Sequence, residues 1–537
     1  MRVPMRGALL RFAPAVLLAA TLLAPATHVG AQSTTRTLVF GQSGDVVKLD
    51  PALIEDGLSA RATEQIYEGL VGFEGATTRI KPALAESWET SPDGKVWMFH
   101  IRQGVAFQDG TPLDASAVKA NFDRQQLQVG DPSHKAAEFI YWNDVVGFND
   151  LWDHTDVVDP STVQITLKAP NGSFLLDLAL FPFAIVSPAS LQMLASGAIP
   201  DITGAPVGTG PFKFVEWVRG DHITLAANDS YWGGRPQLDQ VIIRVINDNA
   251  ARFFELQAGN IDMMEFPNPD DVKVARGMSS LQVLLRPSLN IAFIDFNQFM
   301  APFSDMRVRQ ALSEAVNRQA IVDSLYGGIG ILAKEFLAPG MLGYNDDIQA
   351  IPYDPSHAKQ LLADAGMAGG FTTDFWYMPV DRPYYPNPQG IAQAVCNDWA
   401  QVGVKCNLKT KDWTAYLDDA RNHRLSTWML GWTGDNGDPD NFLFFFFGNK
   451  PAKDVPNYNT WDNAQVRDLL VQAQRSVDDP TRDALYKQVA TLVRAESPRL
   501  PFAHTTPPLF AQTYVQGYVT NPTGTELFNT VTVDGKP

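Results

Sequence analysis

Asp435, Asp438 and Asp440 lie close together in a segment rich in Gly and Asn, and their carboxylates could in principle hold a calcium ion. A calcium loop needs oxygen ligands at alternating positions, Gly at the sixth and an acid at the twelfth. Counted from Asp435, the sixth residue is Asp440 and the twelfth is Phe446, so the pattern fails. The eight histidines do not cluster with metal-ligand spacing, and Cys-x-x-Cys-His is missing. We therefore expect no resident metal or cofactor, and no covalently attached haem.

Signatures of common hydrolases are also missing from the sequence. It contains no Gly-x-Ser-x-Gly nucleophile turn, no His-Glu-x-x-His zinc helix, and no Ser-x-x-Lys followed by Lys-Thr-Gly. Acidic residues number 59, so counting alone leaves open a glycosidase that uses a pair of carboxylates. An exported hydrolase therefore stays as the alternative from another functional class.

The first 31 residues have the three-part layout of a secretory signal peptide. Three arginines without an acid precede an apolar run over 12–26, and Val29-Gly-Ala31 forms a small-residue cleavage site before Gln32. A retained membrane anchor is the alternative, but the run is short for a bilayer and contains two prolines. No Cys follows the cleavage site, which argues against a lipid anchor. We expect an exported, periplasmic protein.

The size and charge of the chain limit its possible domain organisation and its possible partners. A chain of 537 residues is too long for one hydrophobic core, so two or three domains are expected. The net charge of −17 argues against nucleic acid as a partner, because phosphate binding depends on lysine and arginine.

Cys396 and Cys406 are the two cysteines of the chain. The pattern predicts a helix over 391–401 and a strand over 404–408, and this succession could bring the two sulfurs together. A disulfide fits an oxidising compartment, whereas two separately buried thiols fit the pattern equally well. Neither alternative supplies a catalytic cysteine, because no activating base is evident nearby.

Helical and strand patterns alternate along the chain and indicate an α/β protein. Strands are predicted at 37–40, 97–101, 163–167 and 223–226, and helices at 59–70, 115–124, 308–326, 356–365, 463–473 and 481–495. The aromatic run 442–447 is interpreted as buried packing rather than as an exposed docking patch. No repeat or low-complexity linker is visible, so the domains are expected to be interwoven.

The stretch Leu84 to Arg124, LAESWETSPDGKVWMFHIRQGVAFQDGTPLDASAVKANFDR, resembles the signature of the peptide-type, family 5 solute-binding proteins of ABC importers. Further similar pieces follow in order, namely PVGTGPF at 206–212, YWGGR at 231–235 and VRQALSEAVN at 308–317. The resemblance implies a two-lobed periplasmic-binding-protein fold (class II, cluster C type) with a domain inserted in the amino-terminal lobe. Its bounds would be 32–67, 206–288 and 508–537 for lobe I, 68–205 for the insert and 289–507 for the second lobe.

The segments WYMPVDRPYYPN at 376–387 and GWTGDNGDPDN at 431–441 resemble those of the dipeptide-binding members of this family. The resemblance implies that Arg382 binds the ligand carboxylate and Asp435 its α-ammonium group. These residue types suit the task, because a guanidinium can donate two parallel hydrogen bonds and either peptide terminus would be costly to bury unpaired. Second-rank candidates for contact with the peptide are Tyr384, Trp413, Thr433 and the segment from Gly57 to Ser59.

The expected function is therefore that of a receptor without enzymatic activity. It would capture dipeptides between two lobes and deliver them, as a monomer, to the permease and ATPase subunits of an ABC importer. Other ligands known among such receptors stay open as alternatives, in particular noncovalently bound haem, glutathione and longer oligopeptides.

Overall fold

Three sheets and a short hairpin organise this computed structural model, which describes residues 35–54, 56–126, 147–524 and 526–536. The predicted signal peptide lies outside the described residues. The strands are β1 Thr37–Gln42, β2 Val71–Phe73, β3 Ile80–Pro82, β4 Ala85–Thr90, β5 Val96–Ile101, β6 Trp152–Asp159, β7 Thr162–Leu167, β8 Phe212–Val218, β9 His222–Ala227, β10 Gln240–Val245, β11 Met263–Met264, β12 Leu281–Leu285, β13 Asn290–Phe296, β14 Gly330–Leu332, β15 Phe371–Trp376, β16 Val404–Lys409, β17 Thr427–Thr433, β18 Arg499–Thr505 and β19 Pro508–Gln512.

The helices cover these sheets and occupy the crossovers between strands. They are α1 Gly57–Ile66, α2 Ala115–Gln126, α3 Phe148–Leu151, α4 Phe174–Leu178, α5 Pro188–Ala195, α6 Asn249–Gln257, α7 Pro269–Arg276, α8 Met306–Glu314, α9 Arg318–Leu325, α10 Pro355–Asp364, α11 Pro388–Gln401, α12 Trp413–Arg421, α13 Asp440–Leu443, α14 Ala464–Arg475 and α15 Asp479–Glu496. Short 3₁₀ turns lie at Pro51–Leu53, Phe181–Phe183 and Ile202–Gly204, and a π-helical turn at Phe444–Gly448 follows α13. Side-chain caps fix many helix starts; for example, Asp56 accepts the Ser59 N–H at the start of α1.

The first large sheet has the order β12-β19-β11-β1-β10-β9-β8 and defines the first lobe. Strand β1 is parallel to β10 and β11, whereas the other neighbours are antiparallel. Its apolar face packs into a core of its own around Leu38, Phe40 and Ile243.

The second large sheet has the order β14-β18-β13-β17-β15-β16 and defines the second lobe. Every residue of its central strand β13 is buried, which suits its largely apolar sequence NIAFIDF. The one acid of that strand, Asp295, forms a buried ion pair with Arg499. Burial raises the pKa of Asp295 to about 6, although the Arg499 charge opposes the shift.

The small-sheet region comprises β2 to β7 with α2, α3 and α4. Its antiparallel sheet has the order β4-β5-β7-β6 and encloses a separate core. It is anchored to the first lobe by the Gln108 side-chain amide, which donates to the backbone oxygens of Ile66, Gly210 and Phe212. These three hydrogen bonds join the small-sheet region to the first lobe.

Two adjacent chain crossings join the lobes, one between β12 and β13 and one between β18 and β19. The Arg286 N–H donates to the Pro507 carbonyl oxygen at 3.0 Å across these crossings. The Asn290 amide donates to the Thr505 carbonyl at 3.0 Å and accepts the Thr505 N–H at 2.9 Å. Paired crossings of this kind are the usual place for a hinge between lobes.

Two of the predicted helices differ from the structure. The helix predicted over 308–326 is two helices, because Asn317 caps α9 by accepting the Ala320 N–H. The helix predicted over 59–70 ends at Ile66, where Tyr67 turns extended and donates its hydroxyl to the Leu49 carbonyl. The remaining predicted strands and helices coincide with observed elements to within a few residues. The run 442–447 is mostly buried, as interpreted, although Phe445 is partly exposed.

Candidate functional site

A cleft of about 630 Å³ is lined by residues of both lobes. The first lobe contributes Ser43, Gly57, Leu58, Arg61, Glu265, Phe266 and Arg286, with Pro522, Thr523 and Gly524 from the carboxyl-terminal tail. The second lobe contributes Asn290, Arg382, Pro383, Tyr384, Trp413, Leu417, Leu430, Gly431, Trp432, Thr433, Asp435, Phe446 and Tyr458, and Pro507 lies at a crossing. The wall is rich in aromatic rings and carries a few charged groups, a composition typical of small-molecule sites.

Arg382 lies on a tight turn at the edge of the cleft. Its N–H donates to the Tyr385 carbonyl oxygen at 3.1 Å, and the Tyr385 N–H donates back at 2.9 Å. The guanidinium carbon lies 5.1 Å from the centre of the Trp413 ring, a cation–π contact that orients the side chain. No ion pair joins Arg382 to another residue of the described part of the chain. Its guanidinium can therefore donate to an anion that enters the cleft.

Two aromatic residues, Tyr384 and Trp413, pack beside this turn. Tyr384 is buried and packs so closely on Gly431 that a side chain at position 431 would collide with its ring. Burial raises the pKa of Tyr384 to about 12, so its hydroxyl stays protonated at neutral pH. Trp413 stacks on Tyr416, with ring centres 5.7 Å apart and planes inclined by 17°. The aromatic platform thus presents a neutral, rigid surface beside the Arg382 charge.

Asp435 lies in the loop that follows β17 and is held by Asn441. The Asn441 side-chain oxygen accepts the Asp435 N–H at 3.2 Å, and its amide donates to the Asp435 carboxylate at 3.2 Å. The same oxygen accepts the Trp432 indole N–H at 2.8 Å. This arrangement fixes one side of a half-buried carboxylate on the cleft wall.

Comparison with known proteins then identifies the class of this chain. Residues 79–454 match the family model for bacterial extracellular solute-binding proteins, family 5. The chain belongs to that family. It is 36% identical over 518 residues to the dipeptide-binding protein of Escherichia coli (strain K12), covering 95% of this chain and 97% of the relative.

Two other relatives show the range of ligands within family 5. Heme-binding protein A of Haemophilus influenzae is 39% identical over 515 residues, covering 94% of this chain and 93% of the relative. A solved structure of the periplasmic binding protein DppA from Helicobacter pylori, in complex with the peptide STSA, superposes with a TM-score of 0.76 at 30% identity. It covers 92% of this chain and 98% of that one. The predicted two-lobed periplasmic-binding-protein fold is confirmed.

The first-lobe wall of this family 5 protein contains buried charges that sequence reasoning missed. Arg61 pairs with Glu265 and approaches Glu526 to 3.4 Å, and Arg286 pairs with Glu526. Ser43 donates both its N–H and its hydroxyl to Glu265 at 2.9 Å. Burial would raise the pKa of Glu265, but the Arg61 charge and the Ser43 hydrogen bonds bring it below its usual value. The cations of this wall are therefore neutralised by internal carboxylates.

No local sequence signal marks this wall, because its four charged members come from distant parts of the chain. The predicted site residues, in contrast, largely meet in the cleft: Arg382, Asp435, Tyr384, Trp413, Thr433 and Gly57 all line it. Ser59 does not, since it is fully buried in α1, where its hydroxyl accepts the Val47 N–H at 3.0 Å.

Cys396 and Cys406 are joined by a disulfide between α11 and β16, with Cα atoms 5.6 Å apart. Neither cysteine lines the cleft. The disulfide therefore links α11 to β16 within the second lobe and is not part of the cleft wall.

The other two aspartates of the 431–441 segment are hydrogen-bonded to side chains of the same protein. Arg482 donates to both carboxylate oxygens of Asp438 at 2.7 Å, and Gln474 donates to Asp440 at 2.9 Å. Within the described ranges, no group of three or more His, Cys, Asp or Glu is arranged to hold a metal ion. None of the described helices is long and apolar enough to cross a membrane.

Proposed function

We propose that this family 5 protein is a periplasmic receptor that captures dipeptides and delivers them to the permease of an ABC importer. Arg382 binds the peptide carboxylate, and Asp435 binds the α-ammonium group. The observation that carries the proposal is the placement of these two oppositely charged side chains in one cleft. The E. coli relative is a dipeptide-binding protein and the H. pylori relative was solved in complex with a peptide, and both support the choice of ligand.

The charge arrangement of the cleft favours a zwitterion over a neutral solute. The cations of the first-lobe wall are already paired with Glu265 and Glu526, so they offer little to an incoming carboxylate. Arg382 is stacked on an aromatic ring and has no carboxylate partner among the described residues. A ligand that brings its own carboxylate therefore completes the pairing.

The lobes are proposed to close around the peptide, with 32–67, 206–288 and 508–537 in lobe I, 68–205 as the insert and 289–507 in the second lobe. A ligand shifts the equilibrium towards the closed form only if it binds that form more tightly than the open form. Contacts from both lobes are therefore required, and Gly57 of the first lobe lines the same cleft as Asp435.

Calorimetric titration of refolded, ligand-free protein with di-, tri- and tetrapeptides tests this proposal. We expect one peptide bound per protein, with dipeptides bound most tightly, and recovery of the peptide intact after long incubation. Tighter binding of tetrapeptides would contradict the assigned length. Cleavage of the peptide would contradict the receptor function and support the hydrolase.

Haem is the second candidate ligand, because a relative that is 39% identical is named a heme-binding protein. None of the residues that line the described cleft is His, Cys or Met, so an iron ligand would have to be a tyrosine such as Tyr384 or Tyr458. Titration with haemin followed by absorbance tests this candidate. A saturable spectral change that dipeptides abolish would place haem in the same cleft.

A further inference from the structure

The loop that carries Asp435 also contacts the small-sheet region, which is hydrogen-bonded to the first lobe through Gln108. The Asn436 side-chain amide donates to the Asp177 carboxylate at 2.6 Å. The Asn436 oxygen accepts the Asp438 N–H at 2.9 Å and so fixes the loop that begins at Asp435. Both members of this pair are more than nine-tenths buried, although 259 residues separate them in the chain.

Two further contacts accompany this hydrogen bond between the second lobe and the small-sheet region. The Gly172 N–H donates to the Gln474 carbonyl oxygen at 2.8 Å. Gly437 has a φ of +78° and lies so close to Thr78 that any side chain at position 437 would collide with it. Because two adjacent crossings join the lobes, a hinge opening at these crossings would separate the contacting surfaces.

The contact surface holds more negative than positive charge. The carboxylates of Asp177, Asp438 and Asp440 meet one guanidinium, that of Arg482, which is bound to both oxygens of Asp438. Titratable groups beside Arg482 in the described part of the chain are the Tyr486 hydroxyl, 3.1 Å away, and the exposed Asp479, 3.9 Å away.

Protons bound to two of these carboxylates would offset the excess of negative charge. Burial, together with the nearby Asp438 carboxylate, raises the pKa of Asp177 to about 7. Burial and Asp438 likewise raise the pKa of Asp440 to about 8. The Ser173 hydroxyl donates to the second oxygen of Asp177 at 2.8 Å when that carboxyl is ionised. When the carboxyl is protonated, the hydroxyl can donate to Asn171 instead and accept the hydrogen bond of the carboxyl, while the first oxygen still accepts from Asn436.

We propose that Asp177 is a positioning residue for ligand retention, because through Asn436 it holds the Asp435 loop against the small-sheet region in the closed protein. The inference rests on the proposed function and assigns the small-sheet region a part in it. Asp177 touches no ligand; it acts by fixing the loop whose carboxylate does.

This arrangement links closing to proton uptake. In the open form Asp177 is exposed to water and ionises at an ordinary carboxyl pKa, whereas in the closed form it holds a proton up to a pH of about 7. Closing therefore takes up a proton between about pH 4 and pH 7. Peptide affinity falls as the pH rises through this window, by at most about tenfold per pH unit for one proton.

Dissociation of a bound dipeptide, followed by stopped flow at pH 5 to 8, tests the inference. We expect Asp177→Ala to accelerate dissociation about tenfold at pH 5, from the loss of a buried hydrogen bond, with little change in the association rate. Asp177→Asn retains an acceptor oxygen but cannot ionise, so it should keep slow dissociation and flatten the pH dependence of affinity. Glu86→Gln, which removes an exposed acid of β4, is the matched control and should behave as the unaltered protein.

Asn436→Ser removes the same hydrogen bond from the other side and serves if Asp177→Ala fails to fold. An unchanged dissociation rate in Asp177→Ala and Asn436→Ser, with the pH dependence of affinity retained in Asp177→Asn, overturns the inference while dipeptide binding itself persists. Failure of the unaltered protein to bind any dipeptide overturns the proposed function, and the inference with it.

Discussion

Replacement of Arg382 by Ala should weaken dipeptide binding by about 30-fold. Removing one partner of a desolvated, hydrogen-bonded charge pair costs about 2–5 kcal/mol. Arg382 is exposed at the edge of the cleft before a ligand enters, so we expect the lower end of that range, about 2 kcal/mol. Since 1.4 kcal/mol is tenfold in affinity, this corresponds to about 30-fold.

A double-mutant cycle with a modified ligand isolates the contact. Amidation of the dipeptide removes the carboxylate that Arg382 is proposed to bind, so it should cost the unaltered protein about as much as the mutation does. Amidation should then cost the Arg382→Ala variant little, and the coupling energy should be about 1.5–2 kcal/mol. Isothermal titration calorimetry at fixed pH and ionic strength measures all four combinations.

Two controls separate charge from geometry. Arg382→Lys retains the charge but loses the planar fork, so its affinity should lie between those of the unaltered protein and the Ala variant. Arg307→Ala removes an arginine that pairs with Asp305 outside the cleft and should leave the affinity unchanged. Equal losses on amidation with and without Arg382 would refute the assignment of the carboxylate to this residue.

Three other substitutions give distinct expectations. Asn441→Ala removes the amide that donates to Asp435 and should weaken dipeptide binding about 10- to 150-fold, measured by calorimetry, because a hydrogen bond to a charged group contributes about 1.5–3 kcal/mol. Cys396→Ala opens the loop closed by Cys406 and should lower stability to guanidinium by about 3 kcal/mol, without changing affinity. Glu526→Ala leaves two buried arginine side chains without their shared carboxylate and should lower stability by about 3–5 kcal/mol, measured as the shift of the denaturation midpoint.

The outcomes that count against these expectations differ. Asn441→Ala with unchanged affinity would show that Asp435 needs no fixing. If Cys396→Ala binds dipeptides more weakly than the unaltered protein with its disulfide intact, the disulfide contributes to ligand binding. Glu526→Gln keeps the shape of the side chain, so stability equal to that of the unaltered protein would show that its charge is dispensable.

Local patterns located most of the elements that were predicted from them and failed where tertiary contacts decide. The strands predicted at 97–101 and 163–167, for example, coincide with β5 and β7. The break between α8 and α9, in contrast, depends on a single cap at Asn317 inside a continuous helical pattern. The end of α1 depends on a buried hydrogen bond from Tyr67, which periodicity does not reveal.

The site was predictable to the extent that its motifs are continuous in the sequence. Arg382 and Asp435 came from two family-like segments, and the structure places both in the cleft. Asn441 lies in one of these segments, but its part in holding Asp435 is visible only from hydrogen-bond geometry. The buried pairs of Arg61 and Arg286 were missed because their partners come from remote parts of the chain.

A crystal structure of the protein with a bound dipeptide tests the central claim most directly. The account predicts one peptide enclosed between the lobes, with its carboxylate within hydrogen-bond distance of the Arg382 guanidinium and its ammonium group within the same distance of the Asp435 carboxylate. A peptide bound in the opposite orientation, or bound with neither terminus at these two side chains, would contradict it.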